Sequence, residues 1–217
     1  MPHDPAPPRP SATEPLVWLG LVGVATAVSA VEPFDRLIWW LEAAPAVAAA
    51  LLLLAVWRRF PLSPLATRLV ALHALVLVLG AHYTYARVPL GEWAREAFDL
   101  SRNHYDRLGH VVQGFVPAIV TREVLLRTSP LRPGRWLAVL VGATCLAIAA
   151  AYELIEWWAA LASDTAAEEF LSTQGDVWDT QWDMALCLGG AVAALLLLGR
   201  AHDRSLRAVG VDVARSG

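Results

Sequence analysis

Six apolar blocks, each roughly twenty residues long, constrain this chain more than any other feature of its sequence. They cover about residues 16–31, 36–57, 65–86, 106–125, 136–158 and 178–199. A helix rises about 1.5 Å per residue, so about 20 apolar residues cross a hydrocarbon core of about 30 Å. Because 57% of the 217 residues are hydrophobic and only 17% are charged, we predict an all-α, polytopic transmembrane helical bundle with about six membrane-spanning helices.

Most connections between these blocks are short, which predicts a single transmembrane helical domain over residues 16–200. The Pro-rich segment 1–15 is predicted to be disordered, and residues 201–217 are predicted to form a cytoplasmic tail. The first block has a second interpretation as a cleavable signal peptide, because "TAVSA" resembles a cleavage site. Only Arg9 precedes that block, which favours a retained helix.

The basic residues, all seventeen of them arginine, are distributed unevenly between the two sides of the predicted bundle. The termini and the connections after the second and fourth blocks carry 12 arginines and 5 acids. The other side carries 5 arginines and 15 acids. Because arginine marks the cytoplasmic side of a membrane, both termini are predicted to be cytoplasmic.

Ionisable residues lie at the predicted outer ends of four of these helices. They are His82 in the third block, Asp106 and His110 in the fourth, Glu153 and Glu156 in the fifth, and Asp179 and Asp183 in the sixth. Pairs that are three or four residues apart lie on one face of a helix. A carboxylate inside the bilayer costs about 2.5–3.5 kcal/mol on insertion scales, so these groups need partners. We therefore expect the four helices to share one site.

A divalent cation would offset the repulsion between these carboxylates. Imidazole and carboxylate ligands together suit zinc, manganese or iron, and carboxylates alone suit magnesium. The predicted metal ligands are His82, Asp106, His110, Asp179 and Asp183. Glu153 and Glu156 are the predicted catalytic residues, either of which would serve as a general base. The sequence does not identify the metal.

Two other interpretations of the polar cluster stay open, namely a structural network of hydrogen bonds and ion pairs and a pathway for ions or protons. His73 is expected to be a hydrogen-bonded packing residue nearer the middle of the third helix, and Glu42 is an unpaired acid that would join the cluster. Gly189 and Gly190 are expected to let a neighbouring helix approach closely.

Four segments resemble a known family in both content and order: "GAHYTYARVPLG", "RNHYDRLGH", "YELIEWW" and "GDVWDTQWDM". The family is the bacterial inner-membrane family of unknown function typified by YjdF, and the resemblance covers about residues 57–200. It implies a small multi-pass protein of the cytoplasmic (inner) membrane. The pattern of Asp106, Arg107 and His110 is also faintly similar to VanZ-like membrane proteins, which would imply a role in cell-envelope physiology.

The leading hypothesis is a metal-dependent hydrolase or transferase that faces outward and acts on a lipid or envelope precursor. The alternatives are a non-enzymatic ion-binding or transport protein, and a structural or stress-response membrane subunit. Motifs for a covalent nucleophile are absent from the sequence. Membrane lipids are the expected partners, and no nucleic acid is expected, because the arginines lie where anionic lipids attract them.

The arginine distribution yields a topology that can be tested by labelling. Residues 87–105 and 159–177 should face the exterior and residues 126–135 the cytoplasm, because charge bias orients the helices. An impermeant thiol reagent applied to intact cells should therefore label Ser163→Cys and leave Ser129→Cys unlabelled. The opposite labelling pattern would reverse the orientation.

Overall fold

The computed structural model describes residues 13–162 and 173–211, which form seven α-helices, one short 3-10 helix and no strand. The helices are α1 (Thr13–Ser29), α2 (Arg36–Val56), α3 (Pro64–Tyr83), α4 (Pro89–Ala97), α5 (Tyr105–Thr128), α6 (Arg135–Ala162) and α7 (Asp179–Arg207), with the 3-10 turn Tyr85–Arg87 between α3 and α4. The predicted all-α class is confirmed for this part of the chain.

Membrane-spanning capacity differs among the described helices. Four of them, α2, α3, α6 and α7, are long and apolar enough to cross a membrane. Helix α1 is apolar but has only 17 residues, and α5 has 24 residues but carries ionisable side chains along its length. The chain is therefore a multi-pass helical membrane protein, and the crossings by α1 and α5 stay predictions.

The structure extends the predicted elements in three places. Helix α1 begins at Thr13, inside the segment 1–15 that was predicted to be disordered. Helix α7 continues to Arg207, past the predicted domain boundary at residue 200, because His202 and Leu206 are fully buried. The connection 87–105 contains α4, which the sequence analysis did not predict. The other residues of the predicted disordered segment and tail, 1–12 and 212–217, lie outside the described part of the chain, as does 163–172.

Local sequence sets the beginnings of α2 and α3. The carboxylate of Asp35 accepts hydrogen bonds from the backbone N–H groups of Leu37 and Ile38, at 2.7 and 2.9 Å. Ser63 caps α3 through its hydroxyl, and Pro64 follows it at the first helical position. Such side chains satisfy backbone donors that have no partner inside the helix.

Helix α5 is the centre of the bundle. It packs against α3, α6 and α7, while α1 and α2 pack against α3. These neighbours bury much of α5, including Asp106, His110, Arg122 and Glu123. A helix too polar to face lipid is therefore accommodated because other helices cover it.

The closest helix pair is α5 with α7, whose backbones touch. Gly114 lies against the backbone of Cys187, and Gly190 lies against the backbone carbonyl of Val111. A Cβ atom at either glycine would overlap those backbone atoms. Small residues allow such contact between membrane helices, so the predicted close approach is confirmed for Gly190. Gly189 has open space around it.

Helices α5 and α7 also run parallel, as their polar contacts show. Arg102, just before α5, pairs with Asp179 at the start of α7. Arg122, near the end of α5, pairs with Asp203 near the end of α7. The bundle therefore has an acidic end, where α5 and α7 begin, and an arginine-rich end, where they finish.

A buried polar network ties the helices together at the arginine-rich end. His202 Nδ1 lies 2.9 Å from Arg122 Nη1, and His202 Nε2 lies 3.1 Å from Glu123 Oε2. A guanidinium can only donate, so Nδ1 accepts and Nε2–H donates to the carboxylate. Arg127 binds the other oxygen of Glu123 at 2.7 Å, and Arg122 binds Asp203 at 2.7 Å. The paired groups make this end a structural clamp.

The glycine contact can be tested with a matched pair of neighbouring residues. Gly190→Ala should destabilise the protein by about 1–3 kcal/mol, because overpacking forces the two backbones apart. Gly189→Ala should be neutral or stabilising by up to about 1 kcal/mol, because alanine favours the helix. Denaturation of the purified protein in mixed micelles measures both. Equal effects of the two substitutions would contradict the close packing of α5 on α7.

Candidate functional site

Three buried side chains from two helices converge at the acidic end. Asp106 and His110 lie on α5 and Asp183 lies on α7, and one ligand atom from each comes within 4.8 Å of the other two. His110 Nε2 is 3.6 Å from Asp106 Oδ1 and 3.9 Å from Asp183 Oδ2. The contact of Gly114 with Cys187 lies one turn along each helix from His110 and Asp183, and it sets this spacing.

The geometry of these atoms suits a small cation. Three atoms that all lie within 4.8 Å of one another have a centre no more than about 2.8 Å from each, close to the range of about 2.0–2.6 Å for metal bonds to nitrogen and oxygen. His110 Nδ1 and Asp183 Oδ1 are buried and have no hydrogen-bonding partner among the described residues. The donor set of one imidazole and two carboxylates fits zinc, manganese or iron. We call Asp106, His110 and Asp183 the triad.

Asp179 takes a different role from the one the sequence predicted. Its carboxylate accepts a hydrogen bond of 2.5 Å from Arg102 Nη1, and both side chains are buried. Arg102 also lies 3.9 Å from Asp106 and 3.7 Å from Asp176. Arg107 pairs with Asp176 at 2.6 Å. The arginines therefore neutralise the acids on the rim beside the triad.

The two predicted catalytic acids lie beside the triad on α6. Glu153 is buried, and its Oε1 has no hydrogen-bonding partner among the described residues. Glu156 is partly buried and lines a cavity together with Asp106 and His110. The acidic end therefore holds several carboxyl groups away from water, and a proton or a cation there would offset the cost of burying them.

The other histidines lie outside the triad. His82, a predicted ligand, has its Nδ1 3.0 Å from the carbonyl oxygen of Ser29, where it joins α3 to the end of α1. His73 lines the cavity, and its Nε2 is buried without a hydrogen-bonding partner among the described residues, so it is not simply the hydrogen-bonded packing residue that the sequence suggested. His104 lies just before α5, where partial burial and the charges of Arg107 and Arg102 lower its pKa.

The polar residues before α5 include a structural anchor. Asn103 is fully buried, and its amide nitrogen donates to the carbonyl of Val88 at 3.1 Å and to Glu92 at 3.0 Å. Its Oδ1 accepts from the backbone N–H of Tyr105 at 3.0 Å. Its side chain occupies the space where a Cβ of Gly91 would lie. Asn103 therefore holds α4 against the start of α5.

Sequence reasoning missed two features of the structure. Arg102 was counted only as a charge, although it pairs with Asp179, a helical turn of α7 away from Asp183. Glu42, which was expected to join the polar cluster, is 2% exposed and lines the same cavity as Asp106. The pairing of Glu123 with His202 joins residues far apart in sequence, so no local spacing predicted it.

Comparisons with known proteins bear on the family of this chain. Residues 14–204 match the family described as "Predicted membrane protein (DUF2238)". The chain is also 49% identical over 193 residues to "Inner membrane protein YjdF" of Escherichia coli (strain K12), an alignment that covers 89% of this chain and 91% of that protein. The chain belongs to the DUF2238 family.

Membership in the DUF2238 family confirms the resemblance seen in the four sequence segments and extends it to α1, since the match begins at residue 14. No solved structure matches the chain. The similarity to VanZ-like membrane proteins stays a prediction.

The ion pair between Arg102 and Asp179 is expected to stabilise this DUF2238 member strongly. Arg102→Met should cost about 3–5 kcal/mol, because it leaves a buried carboxylate without its counter-charge. Arg95→Met is the control, since its ion pair with Glu92 is exposed and such pairs contribute about 0–1 kcal/mol. Denaturation in mixed micelles distinguishes them. If Arg102→Met unfolds at the same denaturant concentration as Arg95→Met, the buried pair is not a major source of stability.

Proposed function

We propose that this protein is a membrane-embedded, metal-dependent hydrolase or transferase that acts on a lipid or envelope precursor. The convergence of Asp106, His110 and Asp183 within 4.8 Å is the observation that supports it most directly. His110 Nε2 lies 3.6 Å from Asp106 Oδ1 and 3.9 Å from Asp183 Oδ2, too far for a hydrogen bond to either carboxylate. Buried polar groups that are not hydrogen-bonded are costly unless they bind something, which favours a ligand over a purely structural network.

The chemistry follows from the groups around the triad. A divalent ion held there would polarise a phosphoryl or carbonyl oxygen of the substrate and activate a water molecule. Glu156 is the better placed of the two predicted bases, because it lines the cavity with two triad residues. It would accept the proton of the attacking water and return it to the leaving group. Glu153 would act beside it as a second acid.

We also propose that the chain crosses the membrane six times, with α1 and α5 as the fifth and sixth spanning helices. The membrane would be the inner membrane, as the name of the relative from Escherichia coli indicates for that protein. Both termini would be cytoplasmic, so the acidic end would open to the outer face. The excess of arginine at the other end supports this orientation.

An ion-transport function is less well supported by the lining of the cavity. A transported cation needs polar groups along its whole route. From the acidic end towards the arginine-rich end, the lining includes His73 and Gln113 but is otherwise mostly alanine, leucine, valine and proline. Such a lining suits a hydrocarbon chain better than an ion.

Metal content is the first test. Elemental analysis of wild-type protein purified in detergent should find about one zinc, manganese, iron or magnesium ion per chain. Asp183→Asn should lower the apparent affinity for the metal more than about tenfold. Even residues that only hydrogen-bond to a metal ligand typically contribute 10–100-fold to metal affinity.

Asp176→Asn is the matched control for that test. Asp176 lies at the same end and pairs with Arg107 outside the triad, so its substitution should leave the metal content unchanged. A wild-type protein that binds no divalent ion under any metal supplement, or equal losses in both variants, would contradict the metal site.

A further inference from the structure

A large cavity runs through the bundle next to the triad. Its volume is about 730 Å³, within the range of about 300–1,000 Å³ typical of ligand pockets. Its walls come from α1, α2, α3 and α5, with one further strip from α6. Helices α2 and α6 both line it without packing extensively against each other. Helix α2 is therefore not packed against α6 along the wall of the cavity.

The cavity is deep as well as large. Its lining on α5 extends from Asp106 to Thr121, and its lining on α2 extends from Glu42 to Leu54. These stretches span fifteen and twelve helical steps, or about 22 and 18 Å at 1.5 Å per residue. The half-thickness of a hydrocarbon core is about 15 Å. The cavity is thus long enough for a complete lipid chain.

Polarity changes sharply along this length. The walls between the two ends are mostly aliphatic and small, including Ala46, Ala49, Ala50 and Pro117. The acidic side chains of the lining, Glu42, Asp106 and Glu156, all lie at the acidic end, beside His110, whereas His73 lies deeper. No arginine lines the cavity among the described residues. The interior is therefore amphipathic, with an apolar tunnel and a mouth lined by carboxyl groups.

Glu42 carries the clearest sign of a ligand at this mouth. Its side chain is 2% exposed. Oε1 accepts a hydrogen bond from the Thr84 hydroxyl at 3.3 Å, whereas Oε2 has no hydrogen-bonding partner among the described residues. Asp106 lines the same end of the cavity. A donor that carries positive charge would satisfy Oε2 and offset the cost of burying these carboxylates.

We infer that the cavity binds a membrane amphiphile whose hydrocarbon chain lies between α2 and α5 and whose headgroup carries a protonated amine at Glu42. This inference rests on the proposed function in one respect, since it names the class of substrate delivered to the triad. The amine binds Glu42, and the adjoining part of the headgroup lies against Asp106 and His110. The chain enters between α2 and α6.

Three probes of equal chain length test the headgroup: hexadecylamine, hexadecyl phosphate and a neutral monoacylglycerol, each with a photoactivatable diazirine near the middle of the chain. Purified protein in detergent with EDTA is irradiated, and the cross-linked residues are identified by mass spectrometry. The amine probe should cross-link to cavity residues such as Ala49, Ala50 and Pro117. The amine probe should also bind about tenfold more tightly than the phosphate probe does.

Two pairs of variants test separately where the hydrocarbon chain of the probe binds and where its headgroup binds. Ala49→Phe fills the cavity and should abolish the cross-links, whereas Ala48→Phe, on an exposed neighbouring position that does not line it, should preserve them. Glu42→Gln should weaken the amine probe about tenfold and leave the neutral probe unchanged. Glu96→Gln, an exposed acid on α4, should change neither.

The outcomes distinguish this inference from the metal proposal. Asp183 does not line the cavity, so Asp183→Asn should keep amine binding in EDTA whether or not it alters metal content. Normal amine binding in a wild-type protein that binds no metal would reject the enzyme proposal and keep the amphiphile site. Cross-links confined to the outer surface of the helices, or phosphate binding as tight as amine binding, would overturn the amphiphile site.

Discussion

The direct contact between the backbones of α5 and α7 is the constraint on which the rest of the structure depends. Gly114 against Cys187 and Gly190 against Val111 bring the two helices together and fix their relative register. One turn towards the acidic end, that register places His110 3.9 Å from Asp183. Several turns in the other direction, it places Glu123 beside His202. A wider separation or a shifted register would break both clusters.

The two ends of this helix pair differ in how their buried charges are satisfied. At the arginine-rich end, Glu123 and His202 are both hydrogen-bonded and no ligand is needed. At the acidic end, Arg102 pairs with Asp179 at 2.5 Å and lies 3.9 Å from Asp106 of the neighbouring triad. Because buried carboxylates are costly without partners, the first end is a structural clamp and the second is suited to binding.

The placement of α2 explains how the hydrocarbon chain of a lipid could lie next to the polar triad. Helix α2 packs against α3, and the cavity separates it from α5. The polar mouth of that cavity includes Asp106 and His110, two of the three triad residues. A lipid entering from the bilayer would therefore reach the acidic end without its chain passing through water. This arrangement links the proposed metal chemistry to an amphiphilic substrate.

The sequence by itself determined the helices and the general position of the site. Apolar blocks longer than about 17 residues predict membrane helices reliably, and the observed bounds of α2, α3 and α6 lie within a few residues of those blocks. The spacing of Asp106 and His110 placed both on one face of α5. Tertiary structure alone decided which acids join them, because that choice depends on helix register and on competing partners such as Arg102 for Asp179 and Ser29 for His82. The cavity with Glu42 at its mouth is also a tertiary feature, because a gap between helices leaves no pattern in the residues of any one of them.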